Sequence, residues 1–289
     1  MNKFQVRQAA RLYEVRMEAQ LKDFARRLRI HALNMVHRAG AAHIGGALSM
    51  ADLLAALYHP HLGRLNVDPL QPAKPDRDRF VLSKGHSCVG LYSAIALAGF
   101  IEEGELESYA NDGSRLMSHV SHKVPGIEFS TGSLGHGLPF ATGLALGAKR
   151  KQESWRTAVI VSDGELDEGS NWEAILFAGH HQLDNLWLIV DFNKIQSLGD
   201  VNQVLRLDPL PDKFKAFSWH VVEIDGNDVA QCHRTLALDK PPQPGQPTVV
   251  VAHTKKGAGV DFMEDKLLWH YKTPDKEQLA AAMKQLQAA

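Results

Sequence analysis

Four short apolar runs dominate the second half of the chain: TAVIVS at 157–162, LWLIVD at 186–191, HVVEI at 220–224 and TVVVA at 248–252. Each is too short for a helix, rich in β-branched residues, and apolar at almost every position. Strands read this way when both faces of a sheet are covered, which is the condition of parallel sheet with helices packed above and below. The intervening stretches 170–182, 208–217 and 227–239 have helical character, so strand and helix alternate and the fold class is α/β. FVLS at 80–83 adds a further short strand, and 274–288 reads as a closing helix entered near Pro274. The Pro-rich run at 240–247 is a loop rather than a domain linker, because a strand follows at once.

The first part reads differently. Residues 5–38 predict one long helix or two joined ones, with Leu12, Val15, Leu21, Phe24, Leu28, Ile30, Leu33 and Val36 on a broad apolar stripe that stops at Gly40. Gly45 and Gly46 predict a turn, and Ser49 the N-cap of a short apolar helix running to Tyr58. Segment 59–78 is a long connection, 101–109 a short acidic helix, and 110–133 irregular. The whole chain, 1–289, is expected to form one α/β domain with a helical amino-terminal extension over 1–39.

Composition narrows the function classes. With 32 Lys+Arg against 33 Asp+Glu, the net charge of −1 argues against a broad nucleic-acid footprint. No apolar run is long enough to span a bilayer, and the amino terminus lacks a signal-peptide core. Two cysteines, Cys88 and Cys232, make no disulfide framework and fit the reducing cytoplasm.

In an open parallel sheet, ligands gather beyond the carboxyl ends of the strands. Asp163 and Gly164 stand there after the 157–162 strand, and Asn193 stands there after the 186–191 strand. If the two strands are neighbours, one carboxylate and one amide oxygen face a common crevice, hard ligands of the kind Mg²⁺ or Ca²⁺ takes. Two such ligands leave the rest of the shell to a phosphate group, a carbonyl and water. The plainer alternative is that Asp163-Gly164 is a tight turn capping a helix. Glu168 opens the next helix, where a negative charge is favourable in any case.

Histidine is abundant, at 15 residues. His43, His86 and His119 lie in turns rich in Gly or Ser, and none has the spacing of a zinc motif. Around a metal-bound diphosphate such imidazoles would donate to phosphate or substrate oxygens and move protons near neutral pH. His136 stands in a glycine-flanked helix entry, where it caps backbone or lines the site. The glycines between 132 and 147 form neither a Walker loop nor a dinucleotide fingerprint.

The segments AHIGGA at 42–47, FVLSKGH at 80–86, VPGIEFSTGSLGHG at 124–137, SDGELDEGSNWEA at 162–174 and DFNKIQ at 191–196 resemble the amino-terminal domain of transketolase, in order, over roughly residues 25–271. The resemblance implies a three-layer thiamine-diphosphate-binding fold. It also implies an enzyme using thiamine diphosphate and Mg²⁺ to move a two-carbon ketol unit from a ketose, or its phosphate, to an aldose acceptor. By the same resemblance Asp163, Asn193 and the Ile195 carbonyl hold the metal. His86, Gly164, Asn193 and His270 meet the diphosphate, and Gly132 and Leu134 line the region of the cofactor rings. His43 and His119 face the reacting carbon, with His122 an alternative to His119. Glu168 matches a glutamate between paired active sites. His253 departs from the family pattern and is expected as an extra donor near the diphosphate.

A second α/β domain, which supplies the glutamate that activates the pyrimidine, has no counterpart in these 289 residues. The resemblance therefore implies a split enzyme, with this chain paired to a carboxyl-terminal one as α2β2. The readings it competes with are the alpha chain of a 2-oxo acid dehydrogenase, a deoxyxylulose-phosphate synthase fragment, and a non-catalytic regulatory subunit of the same fold.

Overall fold

The computed structural model describes residues 3–288. The amino-terminal segment is one continuous helix, α1 (Lys3–Ala39), ended by Gly40 in the left-handed region at φ 62°, where glycine meets no steric penalty. Its apolar stripe is buried only from Leu21 onward: Leu21, Phe24, Leu28, Leu33 and Val36 are core, whereas Leu12 and Val15 are 54% and 59% exposed. Sequence periodicity marks a face as apolar, and only tertiary neighbours decide how much of it is covered.

The expected Gly45–Gly46 turn is not a turn. Both residues lie inside α2 (Ile44–Ser49), which is followed by α3 (Ala51–Tyr58). The physical reason for glycine there is close packing: a Cβ on Gly45 would stand 3.0 Å from Lys256 Cγ, and one on Gly46 would stand 2.9 Å from Ser87 Oγ. Ser49 is not the N-cap of α3 either. Met50 occupies that position, and the Ser49 hydroxyl donates to Asp191 Oδ2 at 2.6 Å.

After an irregular connection the chain forms β1 (Arg79–Leu82) and α4 (Cys88–Leu97), and residues 103–108 make a 3-10 helix. There follow α5 (Gly137–Lys151), β2 (Thr157–Ser162), α6 (Gly169–His180) and β3 (Leu186–Phe192). A small antiparallel hairpin of β4 (Ile195–Gln196) and β5 (Gly199–Asp200) leads into α7 (Val201–Val204); neither hairpin nor helix was legible in the sequence. The remainder is α8 (Leu210–Ala216), β6 (His220–Asp225), α9 (Val229–Thr235), β7 (Thr248–His253) and α10 (Lys276–Ala288).

Five strands form one sheet in the order β1-β2-β3-β7-β6, and every adjacent pair is parallel. Side chains alternate between its faces, as the twofold strand period requires. Ile160, Ile189 and Val250 pack with α1, α3, α4 and α9 into one core. Val161, Val190 and Val251 pack with α5, α6 and α8 into the other. The register Ser162↔Asp191 sets the carboxyl ends of β2 and β3 side by side. Asp163 and Asn193, which follow those ends, are thereby brought to the same edge of the sheet.

Candidate active site

At that edge lies a cavity of about 240 Å³. Asp163, only 1% exposed, forms part of its floor. Its carboxylate accepts the Gly164 N–H at 2.8 Å and the Lys194 N–H at 2.5 Å. Burial, with the neighbouring Asp191 charge, pushes the Asp163 carboxyl up to about 6. The chain reverses after β3 through Lys194 at φ 67°, which carries Asn193 and Ile195 to the same cavity. Asn193 Oδ1 accepts the Ile195 N–H at 3.2 Å, and its amide donates to Asp191 Oδ2 at 3.4 Å.

Three imidazoles from distant parts of the chain converge here. His43, His86 and His270 stand with ring centroids 5.0–5.9 Å apart. His43 enters α2 at φ 67°, its N–H donating to the His270 carbonyl at 2.9 Å. Its Nδ1 is buried without a hydrogen-bond partner among the described residues, so a polar atom in the cavity wall is left for a ligand. Burial, then neighbouring imidazole and lysine charges, lowers the pKa of His43; burial and Lys84 push His86 well below the usual value; burial and Lys256 push His270 down to about 3. All three rings are therefore neutral at pH 7.

The other sequence-predicted residues divide cleanly. Gly132, Leu134, Gly164 and His119 line the cavity, His119 lying against Gly132 with its carbonyl accepting the Tyr92 hydroxyl at 2.8 Å. Of the two histidines that compete for the substrate side, His119 is the one in the cavity. His122 is exposed, its Nδ1 paired with Ser130 Oγ at 2.7 Å. Glu168 is exposed and lies outside the cavity. His253 does not reach the site: its ring pairs with Glu223 Oε2 at 3.0 Å on the far side of β7, because β6 is β7's outer neighbour and presents a carboxylate there. His136 bonds the Leu134 carbonyl at 2.9 Å and stays exposed.

Two lysines escape sequence reasoning, in which lysine reads as surface. Lys84 is 1% exposed and Lys256 is 3% exposed, and both line the cavity. Lys84 pairs with Asp191 and donates to the Gly46 carbonyl at 2.9 Å. Lys256 donates to the Ile195 carbonyl at 2.7 Å and to His270 Nδ1 at 3.0 Å, which makes Nε2 the protonated nitrogen of the neutral ring. Burial and the nearby Lys84 charge lower Lys256 to about 8. Their positions shortly past the carboxyl ends of β1 (Leu82) and β7 (His253) were the available signal.

Among the described residues, no three His, Cys, Asp or Glu side chains are grouped to cage a metal. The donor set is instead one carboxylate, one amide oxygen and one carbonyl, with two ammonium groups beside it. That combination fits a divalent cation carried on a diphosphate: oxygens for the metal, lysines and imidazole N–H groups for the phosphate oxygens. The Lys256 ammonium on the Ile195 carbonyl marks that oxygen as a position that accepts positive charge.

Residues 20–287 match the family model described as "Transketolase, thiamine diphosphate binding domain". The chain belongs to the transketolase family. It is 43% identical over 270 residues to an apulose-4-phosphate transketolase subunit of Actinobacillus succinogenes, covering 93% of this chain and 96% of that protein. A 6-deoxy-6-sulfo-D-fructose transketolase subunit of a Clostridium species is 38% identical, covering 92% and 96%. Among solved structures, transketolase of Campylobacter jejuni superposes with a TM-score of 0.86 at 30% identity. That superposition covers 93% of this chain and 43% of the Campylobacter one, so this transketolase-family chain spans under half the length of the solved enzyme.

Proposed function

We propose that this chain is the diphosphate-binding subunit of a split, Mg²⁺-dependent transketolase, residues 1–289 forming one diphosphate-binding domain. The observation that carries the reading is the cavity in which Asp163, Asn193 and Ile195 oxygens meet Lys84, Lys256 and the three histidines. In it, Asp163, Asn193 and the Ile195 carbonyl would hold Mg²⁺, with Ca²⁺ a workable substitute. His86, His270, Asn193 and the Gly164 backbone would bind the diphosphate, and Gly132 and Leu134 would line the rings. When bound, thiamine diphosphate supplies the nucleophilic carbon and the electron sink for breaking a ketose C–C bond.

The chain's own residues supply orientation and proton transfer. His43 is neutral at pH 7, so its unpaired Nδ1 is free to accept a proton from a substrate hydroxyl and return it. His119 faces the same space. Glu168, exposed at the entry to α6, suits an interface between paired sites better than contact with substrate. Lys84 and Lys256 place buried positive charge in the diphosphate corner.

Two of the relatives named above are called transketolase subunits and cover almost the same length, which supports a complementary subunit; we take it to be a carboxyl-terminal chain carrying the pyrimidine-activating glutamate, assembled as α2β2. Their names also favour a sugar or sugar-phosphate substrate, moved as a two-carbon unit from ketose to aldose. They favour transketolase over a dehydrogenase alpha chain, and the intact Asp163 and Asn193 speak against a non-catalytic subunit. Among the described residues no helix is long and apolar enough to cross a membrane. Cys88 and Cys232 are free and buried, which suits a reducing compartment, and on that ground we place the enzyme in the cytoplasm.

Calorimetric titration of thiamine diphosphate in Mg²⁺ buffer into the complex tests the proposal. Saturable binding that vanishes with EDTA and in Asp163→Ala is expected. Undiminished binding in that variant would overturn the metal assignment.

A further inference from the structure

The cavity wall formed by Gly132 and Leu134 belongs to no helix or strand. Side chains hold it in place. Thr131 Oγ1 donates to the Leu82 carbonyl at 2.6 Å, and the Gly137 N–H donates to Ser83 Oγ at 3.1 Å, tying both ends of the loop to the end of β1. Its middle is clasped at Gly135. The Gly135 N–H donates to Glu165 Oε1 at 3.0 Å, and the Gly135 carbonyl accepts from Ser170 Oγ at 2.6 Å.

Glu165 is joined to two of these contacts, directly at Gly135 and through Ser83, whose hydroxyl it accepts. It is 0% exposed and does not line the cavity. Besides Gly135, its carboxylate accepts the Ser83 hydroxyl at 2.5 Å and the Ser162 N–H at 3.4 Å. One side chain therefore joins the end of β1, the end of β2 and the loop. Burying a carboxylate with no ion-pair partner is costly, and it is tolerated where several donors converge on it. The fit at Gly135 is tight: it sits at φ 82°, and a Cβ there would stand 2.7 Å from Glu168 Cβ.

Leu134 and Ile195 are the apolar side chains of the cavity lining, and the charged groups come from other segments. The loop thus sets the uncharged wall, while the Asp163–Lys256 corner is built without it. We propose that Glu165 is a positioning residue: by fixing Gly135 it sets the wall that receives the ring portion of the cofactor, and it acts on that wall far more than on the diphosphate corner. The proposal rests on the transketolase reading above.

Two probes separate the parts of the cavity: thiamine diphosphate with Mg²⁺, and inorganic pyrophosphate with Mg²⁺, each titrated into the complex of this chain with its partner subunit. In Glu165→Ala, thiamine diphosphate affinity is expected to fall about tenfold, the scale of one lost charge-assisted hydrogen bond. Pyrophosphate affinity should stay within about twofold of the parent in the same experiment. Glu165→Gln keeps the size and one acceptor oxygen, so it folds where alanine does not and should recover most of the loss. Ser170→Ala, which opens the clasp from the other side, should show the same selective loss. Equal losses for both probes, or thiamine diphosphate affinity unchanged in the folded variants, would overturn the positioning role. A parent complex that binds neither probe would bring down the transketolase reading and this inference with it.

Discussion

The Lys84 ammonium closes on the Asp191 carboxylate in an ion pair sealed from water, the two side chains 1% and 0% exposed. Burial alone would raise the Asp191 pKa, but the Lys84 charge and hydrogen bonds from Lys84, Ser49 and Thr254 outweigh it and hold it below the ordinary carboxylate range. The pair pins the end of β3 to α2 and β1, with Lys84 at the cavity wall. Removing one partner strands the other as a bare buried charge, which costs about 3–5 kcal/mol. Lys84→Met should therefore lower the unfolding free energy by that amount, read from urea midpoints at pH 7. A change under about 1 kcal/mol would place the pair with ordinary surface ion pairs.

Asp163 is destabilising in the metal-free chain. Its pKa is about 6 when folded and near 4 when unfolded, so the folded state holds the proton more tightly. Stability falls as pH rises through that window, and the loss is complete above about 6. Asp163→Asn should stabilise the metal-free protein at pH 7 by on the order of 2–3 kcal/mol, with no gain at pH 4. The same change should abolish Mg²⁺-dependent cofactor binding, separating stability from function at one residue. Denaturant titrations at the two pH values check the first part.

His270 works in the opposite direction. Burial and the Lys256 charge hold it at about 3, whereas an unfolded histidine takes a proton near 6.5. Its contribution is complete above about 6.5 and is lost as pH falls towards 3, because the unfolded state then binds the extra proton. His270→Phe should flatten the decline in stability between pH 7 and 5. Ring-proton NMR of the parent should show the His270 resonances unshifted across that range.

His43→Ala should reduce turnover of the assembled enzyme by about 10²–10⁴-fold, the usual contribution of a positioned acid or base. Cofactor affinity should change little. Equal losses in both would move His43 from the substrate to the diphosphate.

The parallel character of the sheet could be read in advance because β2, β3 and β7 are buried on both faces and show it in continuous Val, Ile and Leu. The strand order could not, so the meeting of Asp163 and Asn193 was conditional on β2 and β3 being neighbours, as their register shows them to be. Of the histidine cluster, His43 and His86 were readable from their glycine- and serine-rich turns, whereas His270 came only from the family resemblance. What escaped were residues whose meaning depends on burial: Lys84 and Lys256 look like surface cations until the fold encloses them, and Glu165 looks like one more acid in an acidic turn. Gly45 and Gly46 misled because glycine serves close packing as readily as turns.

Native mass spectrometry of the complex purified from its own cells, sprayed from magnesium-containing buffer, tests the central claim most directly. Two copies of this 31.9 kDa chain are expected with two of a distinct partner chain and bound thiamine diphosphate. This chain alone, carrying no partner and no cofactor, would contradict the split-transketolase reading.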